Sequence, residues 1–234
     1  MAELPPAAEK PRFVRDMFAR IAPRYDLLNR LMTGGQDVRW RREVIRRARL
    51  QPGHRVLDIG AGTGDLAAEA RRQQPRAWVV AADFTLPMMQ VGRQRPQTRG
   101  VRWLAADALR LPFPAGVFDA VVSGFLLRNV ADVVQALREQ YRVLRPGGRI
   151  VILETTRPPG GLLGALVRVH FRWGIPTLGR LFAGDAQAYR YLPASSEHFL
   201  SAPQLAGHLA AVGFRQVGYR KRMLGTVAVH WAEK

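Results

Sequence analysis

The run Val56-Leu57-Asp58-Ile59-Gly60-Ala61-Gly62-Thr63-Gly64-Asp65 carries the most informative chemistry in this chain. An apolar strand bearing an acid enters a glycine-rich turn and leaves it as a helix near Asp65. Glycine permits positive φ and lets a ligand approach where a Cβ would collide. A helix start offers unpaired N–H groups and a partial positive charge, which suits an anionic ligand group. The acids that follow sharpen this reading. Asp83 closes the apolar run Trp78 to Ala82, where a second strand should end and meet a ribose. Asp107-Ala108 closes a third run, Val101 to Leu104, and Phe118-Asp119-Ala120-Val121-Val122 opens a fourth. A dinucleotide dehydrogenase favours Gly or Ala at position 65, where this chain has Asp.

The elements needed to hold these residues are legible in the flanking pattern. Phe13, Val14, Met17, Phe18 and Ile21 are spaced as one face of a helix that stops at Pro23. The Gly34-Gly35 pair precedes a second helix, in which Arg39 to Arg49 alternate with Trp40, Val44, Ile45 and Ala48. That is an amphipathic basic helix, compatible with anionic headgroups, RNA or plain solvent. Helices are expected at 66–73, 87–93 and 132–143, with a fifth strand at 149–153 entered through a Pro146-Gly147-Gly148 turn. Such alternation predicts an α/β fold with a doubly wound, mainly parallel sheet. A helix at 203–212 and strands at 214–222 and 226–231 should close it as an antiparallel hairpin at the sheet edge.

Residues 1–11 read as a flexible N-terminus and 12–234 as a single domain, with N-terminal helices over 12–50. Residues 157–200 break the rhythm and read as a helical lid insert over a substrate. Its stretch 162–173 has an apolar face equally suited to packing in a core or to lining a lipid-tail groove.

Composition narrows the class. The chain has 234 residues, 47% of them hydrophobic, no cysteine and a net charge of +18. Disulfide scaffolds, Cys-ligated metals and thiol nucleophiles are excluded. Only Lys10, Lys221 and Lys234 are lysines, so the charge reflects an arginine-rich coding bias as well as any partner. No apolar run reaches 18 residues, and Met1 to Lys10 lacks a signal-peptide core. A cytoplasmic protein is expected, one able to sit on the inner face of the cell membrane.

Several segments together resemble the quinone C-methyltransferases of menaquinone and ubiquinone biosynthesis, which are class I S-adenosylmethionine-dependent enzymes. They are the run from Met17 through Ala22-Pro23-Arg24-Tyr25-Asp26-Leu27-Leu28-Asn29, then Leu127-Arg128-Asn129-Val130, and Tyr141 through Arg145-Pro146-Gly147-Gly148-Arg149. Tyr189-Arg190-Tyr191-Leu192, Pro193 to Phe199, Gly213-Phe214 and Gly225 to His230 continue the likeness to the end. It implies a seven-stranded Rossmann-like sheet and methyl transfer from S-adenosylmethionine to a ring carbon of a polyprenyl quinol. The expected reaction converts demethylmenaquinol to menaquinol, with a ubiquinone-pathway benzoquinol as the alternative ring.

The resemblance places the cofactor against Asp58, Gly60, Gly62, Thr63 and Gly64. Its ribose would meet Asp83, its adenine Asp107 and Ala108, and Phe84 completes the set. A serine usually stands just before Phe-Gly-Leu-Arg-Asn in this family. Here Gly124 takes that position, Ser123 lies one residue earlier, and Leu126 replaces the glycine. For catalysis, Arg128 would stabilise a developing phenolate. Tyr25 and Asn29 would order the ring hydroxyls or a bridging water, Asn129 stands with Arg128 in the catalytic set, and Asp107 could accept a proton through water.

Structural alternatives stand beside each role: a strand-end cap at 83, a turn at 107, a helix entry at 129, a core tyrosine at 25. His170, His198 and His230 read as packed or surface histidines. No metal is expected. The implied partners are the quinol and, transiently, an anionic membrane surface, with no nucleic acid and a homodimer left open. The rival classes are an RNA methyltransferase, a methyltransferase of soluble phenols or sterols, and a silent cofactor-binding protein. The chain lacks the Asn/Asp-Pro-Pro-aromatic signature of amine methylation after its fourth strand, and it shows no appended RNA-binding module.

Overall fold

The computed structural model describes residues 5–6, 9–157, 191 and 194–234. Most of the expected lid, including its apolar stretch 162–173 and His170, lies outside the described residues. Seven strands form one sheet in the order β3-β2-β1-β4-β5-β7-β6. They are β1 (Arg55–Ile59), β2 (Trp78–Asp83), β3 (Arg102–Ala105), β4 (Phe118–Gly124), β5 (Leu144–Thr155), β6 (Arg215–Arg222) and β7 (Val227–Glu233). The first five are mutually parallel, and β7 runs antiparallel to both β5 and β6. The doubly wound sheet and its terminal hairpin are as the sequence pattern predicts.

Strand alternation splits the apolar residues between two faces. Leu57, Val121, Ile150 and Ile152 pack against α6 (Val133–Val143) and α7 (Ala202–Val212). Val56, Val122, Val151 and Leu153 pack against α3 (Gln36–Ala48) and α4 (Asp65–Gln73). In α3, Trp40, Val44, Ile45 and Ala48 are core residues, while Arg39, Arg42, Arg46 and Arg49 form an exposed stripe. His230 is packed in the interior, its Nε2 3.0 Å from the Ala202 carbonyl.

Two local expectations are revised. Residues 25–33 form a helix of their own, α2 (Tyr25–Thr33), joined to α1 (Lys10–Ile21) by a 3₁₀ turn at Ala22–Arg24. Pro23 sits at the start of that turn, so it bends the chain rather than ending the helical region. Pro146-Gly147-Gly148 is not a free turn before the strand. Phe118 pairs with Leu144 and Ala120 with Arg149, so the intervening residues bulge out of β5. Gly147 takes φ +74°, its N–H donates to the Lys234 carbonyl at 2.9 Å, and the Lys234 N–H donates to Gly148 at 3.0 Å. That exchange holds the bulge in the ladder.

α1 begins at Lys10, and Val14, Met17 and Ile21 join Leu28 and Tyr191 in a third apolar cluster, separate from the two on the sheet. The strand order reverses between β1 and β4, and a crevice opens there beyond their carboxyl ends, the usual place for a ligand in such sheets.

Candidate active site

A cleft lies at that crevice. Its lining brings together Ile59, Gly60 and Gly62 after β1, Asp83, Phe84 and Thr85 after β2, and Asp107 and Ala108 after β3. Gly124, Phe125, Leu126 and Asn129 follow β4, and Pro11, Val14, Phe18 and Tyr25 of α1 and α2 complete it. A second hollow beside it is bordered by Asp58, Thr63, Asp65, Arg41 and Tyr25.

The glycine loop is built to admit a ligand. Gly60 and Gly64 take φ +66° and +83°. A Cβ at Gly60 would lie 2.7 Å from Leu126 Cδ1, and one at Gly64 2.7 Å from Trp103. Asp83 fixes the loop from the neighbouring strand: its Oδ2 accepts the Gly62 N–H at 2.8 Å and its Oδ1 the Thr85 N–H at 2.7 Å. The Thr85 hydroxyl and the Phe84 N–H also act on this carboxylate, which borders the cleft. Burial pushes the Asp83 pKa up, against the pull of the Thr85 and Gly62 N–H groups.

Asp58 lies deeper. Its Oδ2 accepts the Ala67 N–H in the first turn of α4 at 2.9 Å, and its buried Oδ1 has no hydrogen-bond partner. Burial raises its pKa to about 7; the nearby Asp83 and Asp65 add to the rise, and the Ala67 N–H opposes it. An unpaired buried carboxyl oxygen beside the loop suits an ammonium group. The open cradle, Asp83 and Asp58 therefore fit the ribose and amino-acid ends of S-adenosylmethionine.

Asp58 also predicts a pH dependence. The folded chain holds this proton up to about pH 7, whereas the unfolded carboxyl releases it near 3.8. The folded state binds more protons in that window, so stability falls as pH rises from about 4 to about 7. Asp58→Asn keeps an acceptor for Ala67 and cannot ionise, so it should flatten this decline in thermal melts. Parallel melting curves for parent and variant across pH 4–8 would reject the assignment.

A polar cluster also borders the cleft, with Tyr25 beside Gly62. Tyr25 packs edge-on against Phe18, with centroids 5.7 Å apart. Burial raises its pKa, with the neighbouring Asn29 amide and the Arg128 charge opposing, so it stands as a phenol. Asn129 donates from Nδ2 to the Phe125 carbonyl at 2.9 Å and accepts the Tyr191 hydroxyl at 3.1 Å. Burial drives the Tyr191 pKa to about 12.

Arg128 does not border the cleft. It stands behind Phe125 and donates from Nη1 to Glu154 Oε1 at 2.6 Å, in an ion pair exposed 7% and 0% at its two side chains. The Arg128 N–H also reaches Glu154 Oε2, at 3.3 Å. Phe125, between Gly124 and this pair, takes φ +58°, a costly conformation for an aromatic residue and a mark of a functional loop.

Other expected residues fall as follows. Asp107 is exposed at the cleft wall, and its Oδ1 accepts the Leu109 N–H at 2.9 Å, which makes a turn. Thr63 borders the smaller hollow and donates its hydroxyl to Asp26 at 2.6 Å. Ser123 is fully buried with an unpartnered Oγ and lines neither cavity, whereas Gly124 lines both. A Cβ at Gly124 would come within 3.3 Å of Leu66 Cδ1, so a serine there would have to displace Leu66. Asn29 is buried one helical turn from Tyr25.

The sequence reading missed Glu154, Tyr191 as the partner of Asn129, and Lys10, whose Nζ donates to the Val130 carbonyl at 2.9 Å. An acid closing the apolar run Ile150 to Leu153 was the available signal for Glu154. Among the described residues no group of three or more His, Asp or Glu could hold a metal ion. No described helix is long and apolar enough to cross a membrane.

Known proteins are similar to this chain over most of its length. A demethylmenaquinone methyltransferase of Thermus thermophilus is 49% identical over 220 residues, 93% of this chain and 100% of its own length. A ubiquinone/menaquinone biosynthesis C-methyltransferase of Desulfotalea psychrophila is 47% identical over 94% of this chain and 90% of its own. Among solved structures, an S-adenosylmethionine-dependent methyltransferase of Thermotoga maritima superposes with a TM-score of 0.67 at 19% identity, over 94% of this chain and 98% of its own. That likeness shows the class I methyltransferase fold. The sequence model of the ubiE/COQ5 methyltransferases matches residues 7–234, and the chain belongs to that family.

Proposed function

We propose that this protein transfers a methyl group from S-adenosylmethionine to a ring carbon of a polyprenyl quinol, converting demethylmenaquinol to menaquinol. What supports the reading is one cleft lined both by the glycine loop and by Tyr25 and Asn129, in a chain whose relatives are named for quinone methylation.

When bound, the cofactor supplies an electrophilic methyl group on a sulfonium. The chain's residues do the rest. Gly60 to Gly64, Asp58, Asp83 and Phe84 hold the cofactor, with Asp107 and Ala108 beside its base. Tyr25 donates a hydrogen bond to a ring oxygen, and Asn129, locked by Tyr191 and Phe125, holds the ring face. Ring carbons are nucleophilic in the reduced, deprotonated quinol. Arg128 favours that anion through its field, which already reaches Tyr25 and Tyr191. Asp107 receives the proton through water. Val14, Phe18 and Leu126 exclude solvent, so positioning supplies much of the acceleration. The insoluble tail is met at a membrane, where the exposed arginine stripe of α3 faces anionic headgroups.

The test is a side-by-side assay with labelled S-adenosylmethionine. Reduced demethylmenaquinol and a reduced ubiquinone precursor are each presented in anionic vesicles, and bulk RNA in solution. Label should enter demethylmenaquinol first, and the protein should float with the vesicles at low salt and leave them as salt rises. Label in RNA alone would overturn the function. Preferential label in the benzoquinol would overturn the choice of ring, and failure to float at low salt would overturn surface docking.

A further inference from the structure

Thr63 has a partner that the cofactor reading does not require. Its hydroxyl is given to Asp26 Oδ1 at 2.6 Å, so the cofactor loop is bonded directly to α2. Arg95, just beyond α5 (Leu86–Gln94), grips both sides of that contact. Its Nη1 lies 3.0 Å from Asp26 Oδ2 and 2.9 Å from the Thr63 carbonyl, and its Nη2 lies 2.6 Å from Asp65 Oδ1. Asp65 Oδ2 is held in turn by Arg41 of α3 at 2.9 Å, and Arg41 pairs with Asp37. Burial would raise the Asp65 pKa, but the Arg41 and Arg95 charges hold it below the usual range. The forked guanidinium presents two separate nitrogens to three acceptors, a spread that a single ammonium nitrogen matches less well.

A second observation gives this chain of contacts its meaning. The apolar cluster of α1 and α2 is separate from the two clusters that pack on the sheet. Yet Pro11, Val14, Phe18 and Tyr25 of these helices wall the cleft. Their seating over the cofactor loop therefore leans on polar contacts.

We propose that Arg95, braced by Asp65, is a positioning residue that latches the N-terminal helices to the glycine loop through Asp26 and Thr63. The latch makes capture of the cofactor and seating of the cleft wall one coupled event. It also gives Asp65, the residue at which this loop departs from a dinucleotide fingerprint, a task that Gly or Ala could not perform.

The experiment measures S-adenosylmethionine affinity by calorimetry, and tryptic cleavage within α1 and α2 with and without the cofactor. In the wild type the cofactor should slow cleavage. Arg95→Gln should bind it roughly tenfold to a hundredfold more weakly and be cut faster at saturating cofactor. Arg95→Lys should fall between the two. Asp26→Asn changes a half-exposed side chain with little risk to folding. Combined with Arg95→Gln, it should lose no more than Arg95→Gln alone.

Unchanged affinity in a folded Arg95→Gln variant overturns the proposal, and so do additive losses in the double variant. Weaker binding with unchanged cleavage also overturns it, because Arg95 would then serve the loop alone. The proposal rests on the cofactor assignment. A wild type that binds no S-adenosylmethionine would sink that assignment, whereas a binding wild type beside an indifferent Arg95→Gln variant sinks only the latch.

Discussion

An Arg128→Leu variant should lose about 10²–10³ of kcat while its affinity for S-adenosylmethionine stays within about threefold. The magnitude follows from the sign of the charge left behind. Arg128 and Glu154 are buried together, and Glu154 is fully enclosed. Removing the arginine leaves a bare carboxylate behind Phe125, close to the place where a ring oxygen must become negative. Where a compensated pair stood, the site would then oppose the phenolate. Breaking a buried pair from one side should also cost about 3–5 kcal/mol of stability. Adding Glu154→Leu to this variant should restore much of that stability without restoring full turnover. Glu154→Leu alone should be destabilised but keep more activity than Arg128→Leu, since the remaining charge favours the anion. Equal losses of turnover in the two single variants would show that the pair acts through folding alone. A fall in cofactor affinity as large as the fall in kcat would move Arg128 to the cofactor's side of the cleft.

The second large effect is expected at Asp83. Asp83→Ala removes the acceptor proposed for the two ribose hydroxyls and frees the Gly62 and Thr85 N–H groups that it now fixes. Affinity for S-adenosylmethionine should fall by roughly 1–3 kcal/mol, a factor of about 5 to 150. Asp83→Asn should be intermediate, because one carboxylate oxygen becomes a donor that faces a backbone donor. Titration calorimetry on folded variants decides the matter, and unchanged affinity in Asp83→Ala would remove the residue from the cofactor site.

The two parts of the site were unequally legible in the sequence. The cofactor part could be read because its chemistry is local. Gly60 to Gly64 follow β1 directly, and Asp83 and Asp107 stand where strand patterns stop. The ring part is assembled from pairings across the chain. Arg128 meets Glu154 26 positions on and Asn129 meets Tyr191 62 positions on. Periodicity carries no information about such pairs. The family resemblance named Arg128 and Asn129 as candidates, but it could not show that the guanidinium turns away from the cleft. Ser123 illustrates a second limit: which side of β4 faces the ligand depends on the bend at Gly124 and Phe125, and φ +58° at a phenylalanine leaves no trace in composition.

The place of β7 has a consequence for how the protein is made. β7 follows every other strand in the chain, yet it lies between β5 and β6 and pairs with β5 from Arg149 to Thr155. From Thr155 to Val227 is a synthesis delay of about 4 to 14 s at ~5–20 residues per second. During that interval the nascent sheet presents β5 as an unpaired, strongly apolar edge (Ile150, Val151, Ile152, Leu153), the kind of template on which chains aggregate. β6 cannot shield it, because β6 pairs through β7. The half-made protein should therefore gain from chaperones that cover such edges, and its yield in a cell should depend on how quickly the last hairpin is delivered.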